Sequence, residues 1–337
     1  MQMQMLPKSH RAFAVPSFRC RAAALRHPPA PARGFHSIKG NVQNLMVNET
    51  TRVIYQGFTG KTATNNARDA IAHGTNIVGG VSPKKGGTAN LDLPVFATVR
   101  EAAQAVRPDA SLVHVPASFA AGAIEEAIEA EIPLIVAIAE HIPVHDMLRV
   151  HEILRTQSKS RLVGPNTPGI LAPGKCRIGI IPADQCAPGR VGIISRSGTM
   201  IYEAIGATLR AGQGQSLVVG LGGDSMPGTT MKEALEVLLH DSTTEAIILI
   251  GEIGGSAEVE AAELLKSFRA ENGMFKPVIS IISGRTAPPG RAMGHAGALL
   301  AAGELGADAK ARVLQDSGAR VLDHLGLLEN ELRAIFS

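Results

Sequence analysis

Arg52-Val53-Ile54-Tyr55-Gln56-Gly57-Phe58-Thr59-Gly60-Lys61-Thr62 decides the fold class. Five residues dominated by β-branched and aromatic side chains run into a glycine-punctuated turn, and helical spacing follows over about residues 62–73. Strand, tight turn and helix in that order open a βα unit. The pattern then recurs. Asn76–Val78 reads as a strand ending in Gly79-Gly80, and Ser111–Val115 as a strand stopped by Pro116. Ala121–Ala130 reads as a helix with Glu125, Glu126 and Glu129 on its wet side, and Leu134–Ile138 as a buried strand ending near Glu140. From about Gly164 to Arg190 five prolines and interspersed glycines predict a connecting segment. A second block follows, with strands at Val191–Ile194, Ala246–Ile250 and Pro277–Ile282 and a helix from Thr199 to about Arg210. Repeated βα units predict an α/β protein with parallel sheets and ligands at the carboxyl ends of the strands.

Composition narrows the function classes. The 337 residues suffice for two domains of ordinary size. Aromatics make up 3% with no Trp, which argues against nucleic-acid binding by stacking. The formal charge of +3 comes from the N-terminus: Lys8, Arg11, Arg19, Arg21, Arg26, Arg33 and Lys39 stand in a stretch without any acid. Without those seven, 26 basic residues face 30 acidic ones, a mildly acidic body with no call on nucleic acid or membrane surfaces. An arginine-rich, acid-free leader over residues 1–46 reads as a mitochondrial transit peptide, hence a matrix location, with a basic unstructured tail as the alternative. Nothing approaches the ~20 apolar residues of a membrane span. Cys176 and Cys186 have neither metal-ligand nor redox spacing, so no metal site is expected on this chain.

Three motifs carry chemistry. Gly60-Lys61-Thr62 is not a nucleotide P-loop, because the glycine required five residues earlier is Tyr55. The dinucleotide fingerprint also fails, since the second strand ends in Gly79-Gly80 where a ribose-binding acid belongs. What remains is a strand-to-helix turn whose free N–H groups suit a phosphate, with Lys84 and Lys85 nearby as further phosphate contacts or a solvated pair. Ser195-Arg196-Ser197-Gly198-Thr199 is a second such turn, serving an anion or simply N-capping the next helix. In Arg291-Ala292-Met293-Gly294-His295-Ala296-Gly297, glycines on both sides leave one histidine open. A neutral imidazole can attack phosphorus if its tautomer is fixed, and Glu252, where an apolar strand meets Gly251-Glu252-Ile253-Gly254-Gly255, is placed to accept its Nδ1–H. The competing role for Glu252 is a carboxylate at the start of the following helix.

Taken in order, Gly57–Gly60, Val78–Gly80, Ile132-Pro133, Gly164-Pro165-Asn166, Ser195–Thr199, Gly251–Gly255 and Met293–Gly297 resemble the α subunits of succinate–CoA ligases over about residues 50–330. ATP-citrate lyases and malate–CoA ligases share that core. The resemblance implies a Rossmann-like CoA-binding domain (47–186, including the connector) and a flavodoxin-like domain (187–334). It also implies a partner β subunit of ATP-grasp fold that holds Mg²⁺ and ADP/ATP or GDP/GTP. By residue match, His295 is the phosphohistidine and Glu252 its orienting acid. Thr59, Gly60, Lys61, Thr62, Lys85, Ile138, Ala139 and Glu140 match coenzyme A contacts. Tyr202 matches a substrate contact, while Ser195, Ser197, Gly198, Thr199 and Asn166 match the substrate and phosphate region. The implied reaction interconverts succinyl-CoA, phosphate and nucleoside diphosphate with succinate, CoA and nucleoside triphosphate, by way of succinyl phosphate. Departures from the family pattern at Thr62-Ala63, Ala139, His141, Thr167 and Leu299–Ala302 lie near these contacts. They keep open a paralogue acting on another dicarboxylate, and a CoA-binding regulatory subunit without turnover stands as the non-enzymatic alternative.

Overall fold

A computed structural model describes residues 40–273 and 276–337. The leader reading falls mainly on residues 1–39 and so lies outside the described residues.

The first sheet is built from β1 (Arg52–Gln56), β2 (Asn76–Val81), β3 (Ala89–Asn90), β4 (Leu93–Phe96), β5 (Ala110–Val113), β6 (Leu134–Ala137) and β7 (Arg161–Val163). Helices α1 (Lys61–Ala72), α2 (Val99–Val106), α3 (Ala117–Glu129) and α4 (Val144–Arg155) connect them. The strand order is β3-β4-β2-β1-β5-β6-β7, parallel throughout except for β3 against β4. β5 and β6 are buried at every residue, as strands covered by helices on both faces must be. The winding reverses between β1 and β5, and the Gly57–Gly60 turn stands at that switch point.

β2 differs from expectation by running on to Val81. Gly79 and Gly80 lie inside the strand, where side chains would not fit: a Cβ at Gly80 would come within 2.3 Å of the wholly buried Phe58, and one at Gly79 within 2.9 Å of the Pro94 carbonyl. β5 stops at Val113 rather than Val115, and Pro116 takes the N-cap position of α3, so that helix starts at Ala117 rather than Ala121.

The second sheet comprises β8 (Gly169–Ala172), β9 (Cys176–Gly179), β10 (Pro188–Ser195), β11 (Gln215–Gly220), β12 (Ala246–Glu252), β13 (Val278–Ser283) and β14 (Arg320–Leu322). Its helices are α5 (Gly198–Arg210), α6 (Met231–His240), α7 (Ala257–Asn272), α8 (Ala307–Asp316) and α9 (Leu328–Ile335). The order is β14-β13-β12-β10-β11-β8-β9. Its parallel part, β11-β10-β12-β13-β14, is the flavodoxin-like order with its switch point between β10 and β12. The expected Rossmann-like and flavodoxin-like pair is therefore the observed architecture.

The Pro/Gly-rich segment is more than a connector. β8 and β9 form a fully buried antiparallel hairpin, and β8 pairs antiparallel with β11 at the edge of the second sheet. Short strands bounded by proline and glycine carry no propensity signal, so burial by neighbours decides them. The body also starts before the expected leader boundary at residue 46. A 3₁₀ turn at Val42–Leu45 buries Val42 and Leu45. The Asn41 amide donates to the Ser160 carbonyl at 2.5 Å, and that of Asn44 to the Pro133 carbonyl at 2.8 Å and the Lys159 carbonyl at 2.9 Å. Arg161 in turn donates to Asn41 Oδ1 and pairs with Glu233 of α6 at 2.7 Å.

Asn41→Ala removes its bond to the Ser160 carbonyl, which keeps only the Gln157 Nε2 donor at 3.0 Å, and takes the acceptor from Arg161. Equilibrium urea unfolding is expected to show a loss of about 1–3 kcal/mol; an unchanged midpoint would mean that residues 40–46 are not anchored.

Candidate active site

β12 and β10 lie side by side, so Glu252 at the end of one and Ser195–Thr199 at the end of the other meet at the switch point. The Arg196 backbone N–H donates to the Ile250 carbonyl at 3.1 Å, fixing where its side chain starts. The loop after β13 brings in His295, whose Nδ1 lies 2.8 Å from Glu252 Oε2. Glu252 is 4% exposed, whereas the His295 side chain is 25% exposed. With Nδ1–H donating to the carboxylate, Nε2 carries the lone pair, and among the described residues Nε2 has no partner. The hydrogen bond to Glu252 pushes the imidazole above its ordinary pKa of 6.5, while burial and the Arg196 charge pull it down.

Two glycines make this arrangement sterically feasible. A Cβ on Gly223 would lie 2.4 Å from His295 Cγ, so the ring rests directly on the backbone of the turn after β11. Gly254, at φ +86°, admits the Gly297 carbonyl to within 2.3 Å of where its Cβ would be. The loop is pinned there by Gly297 N–H donating to the Gly223 carbonyl at 3.1 Å.

Behind the pair lies a buried ionic chain. Arg196 Nη2 is 3.1 Å from Glu252 Oε1, a charge contact without a hydrogen bond, and Arg196 Nη1 is 3.6 Å from Glu258 Oε1. Arg196 also donates to the carbonyls of Gly254 at 3.0 Å and Gly297 at 3.4 Å, tying acid turn and histidine loop together. Glu258 Oε1 accepts the Glu252 backbone N–H at 3.0 Å, and its Oε2 pairs with Lys310 Nζ at 2.6 Å. Both side chains of that last pair are 0% exposed, and Lys310 further donates to the carbonyls of Glu252 and Gly254.

Arg196, Glu258, Lys310 and Gly223 were missing from the sequence-based list of site residues. A signal existed for the two helical charges: Glu258 shares one helical stripe with Ala261, Ala262 and Leu265, and Lys310 with Ala307, Ala311 and Leu314. A charge at a core position needs a buried partner.

Other expected residues fall into separate groups. Ser197 N-caps α5, accepting from Met200 N–H at 3.4 Å, and Ser195 Oγ is used within the turn, so N-capping is realised here. Gly198 and Thr199 form the first turn of that helix. Tyr202 lies farther along α5, 37% exposed, with no hydrogen bond among the described residues. Asn166 links both sheets: its N–H donates to the Ala139 carbonyl at 2.9 Å, and its carbonyl accepts from Gly223 N–H at 3.2 Å. It shares a cavity of about 230 Å³ with Glu140, His141, Asp224, Gly294 and Ala296, directly beside the histidine.

At the first switch point, Gly60 is the N-cap of α1 and offers no side-chain acceptor, so the first-turn N–H groups from Lys61 onward face outward. Thr59 donates from both N–H and Oγ1 to Ser82 Oγ, at 3.2 and 3.0 Å, joining this turn to the Pro83–Lys85 turn that carries Lys85. Next to it lies a mostly apolar cavity of about 350 Å³ lined by Gly57, Val81, Pro83, Val115, Pro116 and Phe119, among others. Ile138, Ala139 and Glu140 follow β6 on the same side of the sheet. Among the described residues there is no cluster of metal-ligating side chains.

Comparison with known proteins identifies the class. The family described as CoA binding domain matches residues 48–141, and the family described as CoA-ligase matches residues 194–320. These define a two-domain CoA ligase. The subunit alpha 1 of the ADP-forming succinate–CoA ligase of Archaeoglobus fulgidus is 44% identical over 86% of this chain and 98% of its own length. The corresponding alpha subunit of Aquifex aeolicus is 45% identical over 83% of this chain and 90% of its own. Among solved structures, ATP citrate lyase from Methanothrix soehngenii, in complex with citrate and coenzyme A, has the same fold at TM-score 0.75 and 23% identity. That match covers 87% of this chain and about half, 51%, of the lyase chain. The chain belongs to the succinate–CoA ligase α-subunit family.

Lys310→Met strands Glu258 in the core and is expected to cost about 3–5 kcal/mol in urea unfolding. Adding Glu258→Gln should recover part of that loss, which a purely steric role for Lys310 would not allow.

Proposed function

We propose that this chain is the α subunit of a succinate–CoA ligase and that His295 carries the phosphoryl group. The observation that bears most weight is the 2.8 Å hydrogen bond from His295 Nδ1–H to a buried, arginine-flanked carboxylate, which leaves Nε2 as an open nucleophile. In the direction of nucleotide synthesis, a phosphate oxygen attacks the thioester carbon of succinyl-CoA. The C–S bond breaks, CoA leaves as the thiol, and succinyl phosphate forms. Nε2 of His295 then attacks phosphorus, the P–O bond to the acyl group breaks, and succinate departs. The phosphoryl group passes last to a nucleoside diphosphate, regenerating the imidazole. Glu252 fixes the tautomer for attack and stabilises the positive charge that develops on the ring.

The phosphates of coenzyme A lie at the start of α1, against the N–H groups and side chains of Thr59, Gly60, Lys61 and Thr62, with Lys85 as a further cation. The apolar cavity beside Gly57 takes the less polar parts of the molecule. Ile138, Ala139 and Glu140 carry it toward the cavity shared by Asn166, Gly294 and Ala296, beside the histidine. The α5 N-terminus, with Ser197, Gly198 and Thr199, provides a second anion-stabilising station, and Tyr202 contacts substrate near the subunit boundary. A β-type partner of ATP-grasp fold supplies the Mg²⁺ and the ADP or GDP pocket. The acid-free leader supports delivery to the mitochondrial matrix, which a fusion of residues 1–46 to a fluorescent reporter tests directly. A paralogue acting on another dicarboxylate remains the second reading, favoured by His141 at the mouth of the cavity next to His295.

Incubation with a phosphoryl donor and partner subunit should label the wild-type chain with acid-labile, base-stable phosphate. His295→Asn should abolish the label while leaving the circular dichroism unchanged; label retained in that variant refutes the assignment.

The raised pKa of His295 has a definite sign in the pH profile. Below it the ring is protonated on both nitrogens and cannot attack, so the acid limb of single-turnover labelling lies above pH 6.5. Glu252→Gln removes the largest upward influence, so the limb should move to lower pH while the plateau rate falls on the order of 100-fold. An unmoved limb would disconnect Glu252 from the titrating group.

A further inference from the structure

A cavity of about 540 Å³ opens at the far end of α1, lined by Asp69, His73, Arg177, Ile180 and Asp184 among others, none of which lines the crevices described above. Arg177 of β9 is only 6% exposed. Its Nε donates to the Ile181 carbonyl at 2.6 Å and its Nη1 to the Asn66 carbonyl at 3.3 Å. Among the described residues Nη2 makes no hydrogen bond, and no carboxylate stands within ion-pair distance of the guanidinium. Nor is Nη2 sealed in, because the fully enclosed side-chain atoms without a partner are Ser160 Oγ and Glu252 Oε1. It therefore opens into the cavity.

A guanidinium this deeply placed is costly unless an anion meets it. The carboxylates of Asp69 and Asp184 on the same wall also make no hydrogen bond or ion pair among the described residues. His73 adds no charge: burial, and then Arg177, lower its pKa, and its Nε2 accepts the Gly174 N–H at 3.0 Å. The cavity thus presents one unpaired cation and two unpaired carboxylates, beside apolar surface from Ile180, Pro182 and Ala72. A multiply charged phosphate would be repelled by the two acids, and a bare metal ion by the arginine. A ligand carrying one carboxylate and one ammonium answers both, and the volume lies within the range of small-molecule sites.

We propose that this cavity binds a small zwitterion of the α-amino-acid class, its carboxylate on Arg177 and its ammonium facing Asp69 and Asp184. The site is independent of the ligase reading, and its test involves no turnover.

The full chain, purified with its partner subunit, is titrated calorimetrically with each of the twenty amino acids. Matched acids lacking the amine and matched amines lacking the acid serve as controls. At least one amino acid is expected to bind, with both controls weaker by about tenfold or more. Asp69→Asn/Asp184→Asn, on exposed side chains without partners, should erase the preference over the amine-free acid without lowering Tm, and Arg177→Lys should weaken binding of both. No binding at millimolar concentration overturns the proposal. So does binding that the double aspartate variant leaves unchanged, a result that stands even if Arg177→Lys fails to fold.

Discussion

Everything distinctive about this chain depends on a carboxylate held inside the protein against an arginine. Glu252 is almost wholly buried, yet its carboxylate accepts the His295 Nδ1–H and biases the ring toward an Nε2 lone pair. Arg196 makes that affordable electrostatically: one guanidinium faces Glu252 and Glu258 and donates to two carbonyls, one on the acid turn and one on the histidine loop. Lys310 completes the charge balance from α8. Two cations against two carboxylates, in contact and hydrogen-bonded, is the condition under which buried ions are tolerated.

The two sheets contribute in complementary ways. Each reverses its winding once, and each places a glycine-rich strand-to-helix turn at that reversal. The first crevice offers unsatisfied helix N–H groups beside an apolar cavity; the second offers a nucleophile with its orienting acid. Asn166 is bonded to Ala139 on one side and Gly223 on the other, so the backbone against which the imidazole rests is tied to the loop after β6. A long ligand anchored at one crevice and a reacting ring seated at the other fit the division of labour expected of a CoA ligase.

Much of this was legible in the residues themselves. β1 was readable to the residue, because Val53, Ile54 and Tyr55 sit in a five-residue run that meets glycine directly, and the strand-end and loop settings of Glu252 and His295 suggested their pairing beside a helix-start role for the acid. The failures have specific causes. Gly79 and Gly80 read as an end of β2, yet they continue it, because Phe58 packs where a Gly80 side chain would be and Pro94 where a Gly79 side chain would be. The β8–β9 hairpin was hidden by its prolines and glycines, since its strands exist through burial against β11 rather than through propensity. Residues 41–46 carry no acid and so blended with the basic leader, although Asn41 and Asn44 are bonded into the body. Arg196 stood in plain view within its motif, but only three-dimensional proximity reveals that it serves Glu252, Glu258 and the loop together.

The Glu252 backbone N–H is held by Glu258, and the Glu252 carbonyl by Lys310, so α7 and α8 grip the acid by its main chain as well as by charge. Rigidity of the interior and basicity of the imidazole are consequently one property here, not two. Drift at residue 258 or 310 would retune the nucleophile as surely as drift beside it, leaving little room to loosen this half of the molecule while its chemistry stays intact.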